Sequence, residues 1–119
     1  MSDAAVADCR IEPFARGVHD RTRFDSGAPL LDGWLKTQAS QYEARDLARV
    51  YVLVRGADPT VLGYYSLSSH TVVFDNWPEQ AAKGLPRIDL PVVLLGRLAI
   101  DRSIQGQGWG EYLLMDALR

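Results

Sequence analysis

The stretch that decides the fold runs from Val92 to Arg119 and reads VVLLGRLAI (92–100), DRSIQGQGWG (101–110) and EYLLMDALR (111–119). The first part is an apolar run whose length and Val, Ile and Leu content are typical of a strand buried on both faces. The second part is polar and rich in glycine. In the third, helical spacing predicts one apolar stripe, formed by Leu113, Leu114, Ala117 and Leu118. The segment therefore predicts a strand, a glycine loop and a helix in direct succession.

Such a junction is suited to bind an anion. Glycines let a ligand approach the backbone N–H groups closely, and the first N–H groups of a helix have no intrahelical partner. The helix dipole adds roughly half a positive charge at this end, so phosphate or pyrophosphate is the expected guest. A turn that merely connects a strand to a helix is the alternative.

Two well-known phosphate loops do not match the segment. A P-loop requires Gly-Lys-Ser/Thr, and there is no Lys in this loop. The dinucleotide fingerprint has the spacing Gly-x-Gly-x-x-Gly, whereas the glycines here alternate at positions 106, 108 and 110. A third type of phosphate loop has to be considered.

The loop resembles the Gln/Arg-x-x-Gly-x-Gly/Ala signature of the GNAT N-acetyltransferases. The resemblance implies that acetyl-CoA is the cofactor. It also implies that the pantetheine arm pairs with backbone groups of Leu98, Ala99 and Ile100. The residues implied to hold the acyl-CoA pyrophosphate are Gln105, Gly106, Gln107, Gly108, Trp109 and Gly110.

Four separated motifs resemble the toxin branch of this family in particular. They are FDSG (24–27), LDGWL (31–35), GYYSL (63–67) and LGRLAIDRS (95–103). Enzymes of this branch acetylate the amino group of aminoacyl-tRNA and are inhibited by a ribbon-helix-helix antitoxin. The resemblance implies an α+β fold, with a mixed, mainly antiparallel sheet flanked by helices. An apolar fourth strand without a neighbour further predicts a homodimer.

Length and composition place few further limits on function. The 119 residues suit one domain, 1–119, with 47% hydrophobic and 24% charged residues, an ordinary globular composition. No transmembrane run or signal peptide is visible, so we expect no membrane association and a cytoplasmic location. Cys9 is the single cysteine, which excludes an intramolecular disulfide, and no Cys/His cluster predicts a metal site. Residues 1–8 are small and polar, and we expect them to be disordered.

Charge gives no global signature of a nucleic-acid binder. The net charge is −2 and the pI is about 5.6, so contact with tRNA would need a local basic patch. The candidates for such a patch are Arg10, Arg16, Arg21, Arg23, Arg45, Arg49, Arg55, Arg87, Arg97 and Arg102.

The first half of the chain predicts a short edge strand over 10–14, a helix that starts near Pro29, and a hairpin of strands 49–55 and 61–69. Asp25, Ser26 and Gly27 are the expected helix caps. The face predicted to be apolar consists of Leu31, Trp34, Leu35, Gln38 and Tyr42. The His19–Asp20 pair is expected to be an exposed loop pair.

The catalytic residues stay unassigned at this point. GNAT domains continue with another strand and with a helix that carries the tyrosine acting as general acid. We therefore expect this chain to be incomplete at its C-terminal side, with that tyrosine beyond Arg119, and the 119-residue chain to be inactive by itself. Tyr64, Tyr65 and Tyr112 are not obvious replacements for it, and only activity of this chain would call for an acid among these three and His70. Three functions remain open: an aminoacyl-tRNA acetyltransferase toxin, a GNAT enzyme for another amine, and a non-catalytic module that binds acyl-CoA or a partner.

Overall fold

An antiparallel sheet organises the part of the chain that the structure, a computed structural model, describes: residues 8–73 and 89–119, with side chains for 8–69 and 93–119. Its four strands follow one another in the order β1-β2-β3-β4. They are β1 (Cys9–Pro13), β2 (Arg49–Arg55), β3 (Asp58–Val73) and β4 (Asp89–Ile100). Helices α1 (Pro29–Thr37) and α2 (Ala39–Ala44) connect β1 to β2, and α3 (Trp109–Ala117) follows β4. The predicted mixed fold with a mainly antiparallel sheet is confirmed.

The sheet is covered on both faces, because successive side chains of a strand point to opposite sides. Val50, Val52 and Val54 of β2 pack on the side of α1 and α2, in a core that also contains Phe24, Trp34, Leu35 and Tyr64. Leu53 points to the other side and joins a second core with Tyr65, Ile100, Ile104, Trp109 and Leu113. The loop before α3 is thus anchored on one face of the sheet, and α1 lies on the other.

The predicted edge strand and hairpin are confirmed, with shifted bounds. β1 covers Cys9–Pro13 and, among the described strands, pairs with β2 alone. The second hairpin strand is longer than predicted, from Asp58 to Val73, because the turn occupies only residues 56 and 57. The predicted disordered segment 1–8 lies outside the described residues except for Asp8, whose carbonyl accepts a hydrogen bond from the Gly56 N–H at 3.1 Å.

The predicted capping of α1 is wrong in detail. The helix begins at Pro29, and Ala28 at its N-cap makes no side-chain cap bond. Ser26 instead donates from its N–H and its hydroxyl to the carboxylate of Asp32, at 3.0 and 2.6 Å. The predicted apolar face is split between α1 and α2 at Gln38, which is exposed. Trp34 and Leu35 are buried as expected.

The prediction that strand 92–100 is buried on both faces is also wrong. β4 is the outer strand of the sheet, and Val93, Leu94 and Leu95 are 66%, 48% and 40% exposed. Among the described side chains of β4, those of Ala99 and Ile100 are the buried ones. The stripe predicted for α3 is likewise half right, since Leu113 is buried and Ala117 half-buried while Leu114 and Leu118 are exposed.

Candidate cofactor and acceptor site

The glycine loop joins the end of β4 to the start of α3 in the way the sequence predicts. After a short 3-10 turn at Arg102–Ile104, the chain passes through an exposed loop, and α3 begins at Trp109 with Gly108 as its N-cap. Gly106 and Gly108 have φ angles of +79° and +88°, a left-handed backbone that favours glycine. A Cβ at either position would have no atom within 4 Å. Backbone conformation therefore requires these glycines, and the space above them is open to a ligand.

The base of the loop is fixed by hydrogen bonds to the segment before α1. The Asp101 carboxylate accepts from the N–H groups of Ser103 at 2.9 Å and Asp25 at 3.0 Å. Burial raises the pKa of Asp101, but the hydrogen bonds from Ser103 and Asp25 outweigh it and hold that pKa below its ordinary value. Arg102 adds an exposed ion pair to Asp25, with 3.2 Å between Nε and Oδ1.

Gln105 has a framework role within the predicted cofactor loop. Its side-chain amide donates to the carbonyl oxygens of Ser26 and Ile100, both at 2.8 Å. These bonds tie the loop to the end of β4 and to the segment before α1. Trp109 also has a framework role, because its side chain is buried in the core under α3. Both side chains therefore fix the position of the loop backbone, and it is the backbone that can contact a cofactor.

Leu98, Ala99 and Ile100 form the C-terminal end of β4. They pair with Tyr65, Tyr64 and Gly63 of β3, respectively. The side chains of Ala99 and Ile100 point into the cores, so a ligand along the outer edge of β4 would meet backbone. An antiparallel edge strand leaves alternate N–H and C=O groups unpaired on its outer side. This geometry suits the pairing with a pantetheine arm that the family resemblance implies.

A cleft lies beside this strand, on the face that α1 covers. Its volume is about 420 Å³, and it is lined by Pro29, Leu30, Leu31, Gly33, Trp34, Thr37, Gln38 and Arg97. Arg97 is half-buried, with its guanidinium carbon 4.2 Å from the Trp34 ring centroid and 5.9 Å from that of Tyr42. The sequence placed Arg97 only among ten arginines and did not predict this aromatic bed.

The tyrosines named as substitute acids differ in their availability. The Tyr64 hydroxyl donates to the Leu31 carbonyl and that of Tyr65 to the Asp116 carboxylate, both at 2.6 Å. Burial raises the pKa of Tyr64, and burial together with the bond to Asp116 raises the pKa of Tyr65. Both hydroxyls are therefore committed and poorly disposed to give up a proton. Tyr112 is 46% exposed in the first turn of α3, against Trp109, while the His70 side chain lies outside the described residues.

His19 is not the exposed loop residue that the sequence predicts. It is 8% exposed, its Nδ1 accepts from the Ala15 N–H at 2.9 Å, and its Nε2 lies 2.7 Å from the Glu12 carboxylate. The bond to His19 lowers the pKa of Glu12. The hydrogen bonds at both ring nitrogens anchor the loop after β1, so the role of His19 is structural.

In the residues that the structure describes, no group of three or more His, Cys, Asp or Glu side chains could hold a metal ion. No described helix is long and apolar enough to cross a membrane.

Two of the curated proteins that are similar to this chain have related descriptions, although no family model matches the chain. The chain is 39% identical over 99 residues to the tRNA-acetylating toxin of Mycobacterium tuberculosis, a match covering 83% of this chain and 58% of the relative. It is 30% identical over 120 residues to the probable toxin TacT of Sinorhizobium fredii, covering 100% of this chain and 66% of the relative. The chain thus spans less than two thirds of the length of either protein.

Solved structures agree with these relatives. The crystal structure of AtaTR bound with AcCoA has a TM-score of 0.85 at 36% identity, over 94% of this chain and 67% of that one. A mutant of KacT has a TM-score of 0.76 at 38% identity, over 94% and 68%. AtaT complexed with acetyl-methionyl-tRNAfMet has a TM-score of 0.74 at 37% identity, over 92% and 66%. An AtaT mutant bound to the C-terminus of the antitoxin AtaR also matches, with a TM-score of 0.73 at 36% identity, over 93% and 64%.

Proposed function

The chain belongs to the GNAT-type toxins of toxin–antitoxin systems, and from this we propose that it transfers an acetyl group from acetyl-CoA to the amino group of aminoacyl-tRNA. Acetylation of that group would block translation. The observation that carries the proposal is the junction of β4 and α3, where positive-φ glycines leave open space in front of unpaired helix N–H groups.

The residues of the junction fit acetyl-CoA. Loop residues 105–110 offer backbone N–H groups and the positive end of the α3 dipole to the pyrophosphate. The outer edge of Leu98–Ile100 offers backbone groups to the pantetheine arm. When bound, acetyl-CoA supplies the activated acetyl thioester. The cofactor residues we assign are Leu98, Ala99, Ile100, Gln105, Gly106, Gln107, Gly108, Trp109 and Gly110.

The chain's own part in the reaction is binding, orientation and stabilisation of charge. The acceptor amine must be neutral to attack, and the negative charge that develops on the acetyl oxygen must be stabilised. We assign that task to backbone N–H groups of the 98–100 segment. None of the side chains that line the cleft beside β4 is a carboxylate, so we assign no general base among them.

Partners and location follow from the same proposal. AtaT, a solved relative, is bound to the C-terminus of the antitoxin AtaR, and we infer that an antitoxin, of ribbon-helix-helix type by the family resemblance, inhibits this chain as well. A homodimer is proposed from the outer position of β4. Charged tRNA and acetyl-CoA meet in the cytoplasm, which is therefore the proposed location.

Acetyl transfer to competing acceptors tests the function. The chain and a version extended at its C-terminal side are each incubated with isotope-labelled acetyl-CoA and, in parallel, with charged tRNA, peptides bearing free N-termini, and small primary amines. We expect the extended version to give labelled N-acetyl-aminoacyl-adenosine in the digested RNA, detected by mass spectrometry, and the 119-residue chain to give none. Label found only in peptides or small amines would instead support a GNAT enzyme for another amine. CoA binding without label in any acceptor would support a non-catalytic module.

A further inference from the structure

The cleft between α1 and β4 contains a guanidinium that makes no hydrogen bond to the part of the chain that the structure describes. Arg97 lies against Trp34 and Tyr42. Among the described residues, its N–H groups have neither a hydrogen-bond nor an ion-pair partner. Arg21 and Arg102 differ in this respect, since Arg21 donates to the Leu35 carbonyl and Arg102 pairs with Asp25. Because a partly buried charge is costly without partners, the free N–H groups of Arg97 indicate a ligand.

The backbone aims Arg97 at this cleft by an irregularity in the sheet. Ser66 pairs with Arg97 and Leu67 with Leu95, so Gly96 has no partner in the ladder and forms a bulge. Bulges re-aim the neighbouring side chains. A Cβ at Gly96 would lie 3.3 Å from the Ser66 hydroxyl, which favours glycine at this position. The guanidinium is thereby placed on the α1 face, one residue before the 98–100 segment.

We propose that this cleft receives the 3′ end of the RNA substrate and that Arg97 is a positioning residue, which binds the phosphate of the terminal nucleotide. The inference rests on the proposed function and adds the residue that locates the acceptor. A planar guanidinium donates two parallel N–H bonds to a phosphate. The aromatic bed restrains its orientation through cation–π contact. None of the other cleft-lining residues carries a charge that would compete for the phosphate or repel it.

The contact between Arg97 and the phosphate would hold the acceptor near the 98–100 segment of β4. Leu98 follows Arg97 directly, and adjacent Cα atoms are about 3.8 Å apart. The aminoacyl group is esterified to the terminal nucleotide, so a phosphate held by Arg97 leaves the amine within reach of a thioester on Leu98–Ile100. Fixing the acceptor close to the thioester in this way raises the effective concentration of the amine.

CoA also carries phosphates, and the test separates the two sources. The RNA probe is a short single-stranded oligoribonucleotide that ends in CCA with a free 3′ hydroxyl, and CoA is titrated separately. We expect Arg97→Gln to weaken oligonucleotide binding at least tenfold and to leave CoA affinity within twofold. Arg97→Lys keeps the charge without the planar fork and should lie between wild type and Arg97→Gln. Arg119→Gln removes the same charge from an exposed position after α3 and should retain wild-type binding of both probes.

Three results would overturn the inference: equal oligonucleotide affinity in wild type and Arg97→Gln, no oligonucleotide binding by wild type, or a loss confined to CoA. The last would assign Arg97 to the cofactor instead. Failure of CoA to bind any of the proteins would contradict the proposed function separately, since the oligonucleotide titration does not depend on CoA. Circular dichroism of each variant confirms that it is folded.

Discussion

At the scale of single residues, Gly63 of β3 shows how closely α3 approaches the sheet. A Cβ on Gly63 would lie 2.8 Å from the Ile100 Cδ1 and 3.2 Å from the Leu113 Cδ1. Both of those side chains belong to the core that anchors α3. The absence of a side chain at residue 63 is therefore a packing requirement, which is independent of backbone conformation.

We expect Gly63→Ala to lower the free energy of unfolding by about 1–3 kcal/mol, the usual range for overpacking a core. Urea unfolding followed by circular dichroism measures the change. Gly33→Ala is the matched control, because a Cβ on Gly33 of α1 meets nothing within 4 Å and Ala favours a helix by roughly 0.5–1 kcal/mol. The packing account is contradicted if both substitutions shift stability in the same direction.

Two residues show why sequence alone misplaces side chains. His19 reads as a loop residue because its neighbours are polar, yet the bonds to Glu12 and Ala15 bury it. Arg97 carries the only charge in the apolar run 92–100. A single charge in such a run could have singled out Arg97 as a candidate functional residue. Its aromatic partners come from α1 and α2, which are distant in sequence, so only the fold brings them together.

At the scale of elements, the junction of strand, loop and helix was predictable because each part has a local signature. Apolar β-branched residues, alternating glycines and helical spacing are all encoded within 28 consecutive residues, 92–119. The burial of β4 and the capping of α1 were not predictable, since the first depends on which strands are neighbours and the second on a contact between Ser26 and Asp32.

Gln105 is the residue that should decide how firmly the loop is held. Its amide bonds to Ser26 and Ile100 join two elements, and each such bond contributes about 1 kcal/mol net. We expect Gln105→Ala to speed amide hydrogen exchange across 101–110 by about tenfold, measured by mass spectrometry on peptic fragments. Gln107→Ala removes an equal side chain that is exposed in the same loop and should leave that exchange near the wild-type rate. Equal exchange in the two variants would mean that the amide bonds do not fix the loop.

At the scale of the whole molecule, we propose that β4 leads the protein to associate. Val93, Leu94 and Leu95 are exposed on the outer strand of the sheet, and an exposed apolar edge recruits another strand. Pairing at an exposed edge is a general property of apolar strands. The sequence could therefore suggest association once β4 was expected to be an outer strand of the sheet. The homodimer remains a proposal at this scale.

We expect the chain to associate with rising concentration in multi-angle light scattering, and Leu94→Lys to weaken that association at least tenfold by placing a charge at the edge. Val18→Lys introduces the same charge at a 61% exposed apolar side chain in a loop outside the sheet and should associate like wild type. A wild-type chain that stays monomeric at millimolar concentration would refute the role assigned to the β4 edge.

The measurement that tests the central claim most directly is the calorimetric affinity for CoA of two glycine variants. Gly108 at the start of α3 and Gly17 in a distant loop have nearly equal φ angles, +88° and +89°, and a Cβ at either meets nothing within 4 Å. Gly108→Asp and Gly17→Asp therefore impose the same strain and the same charge. We expect Gly108→Asp to weaken CoA binding at least tenfold, about 1.4 kcal/mol, with Gly17→Asp unchanged from wild type. Unchanged affinity in Gly108→Asp, in a wild type that binds CoA, would contradict the assignment of the glycine loop as the pyrophosphate site.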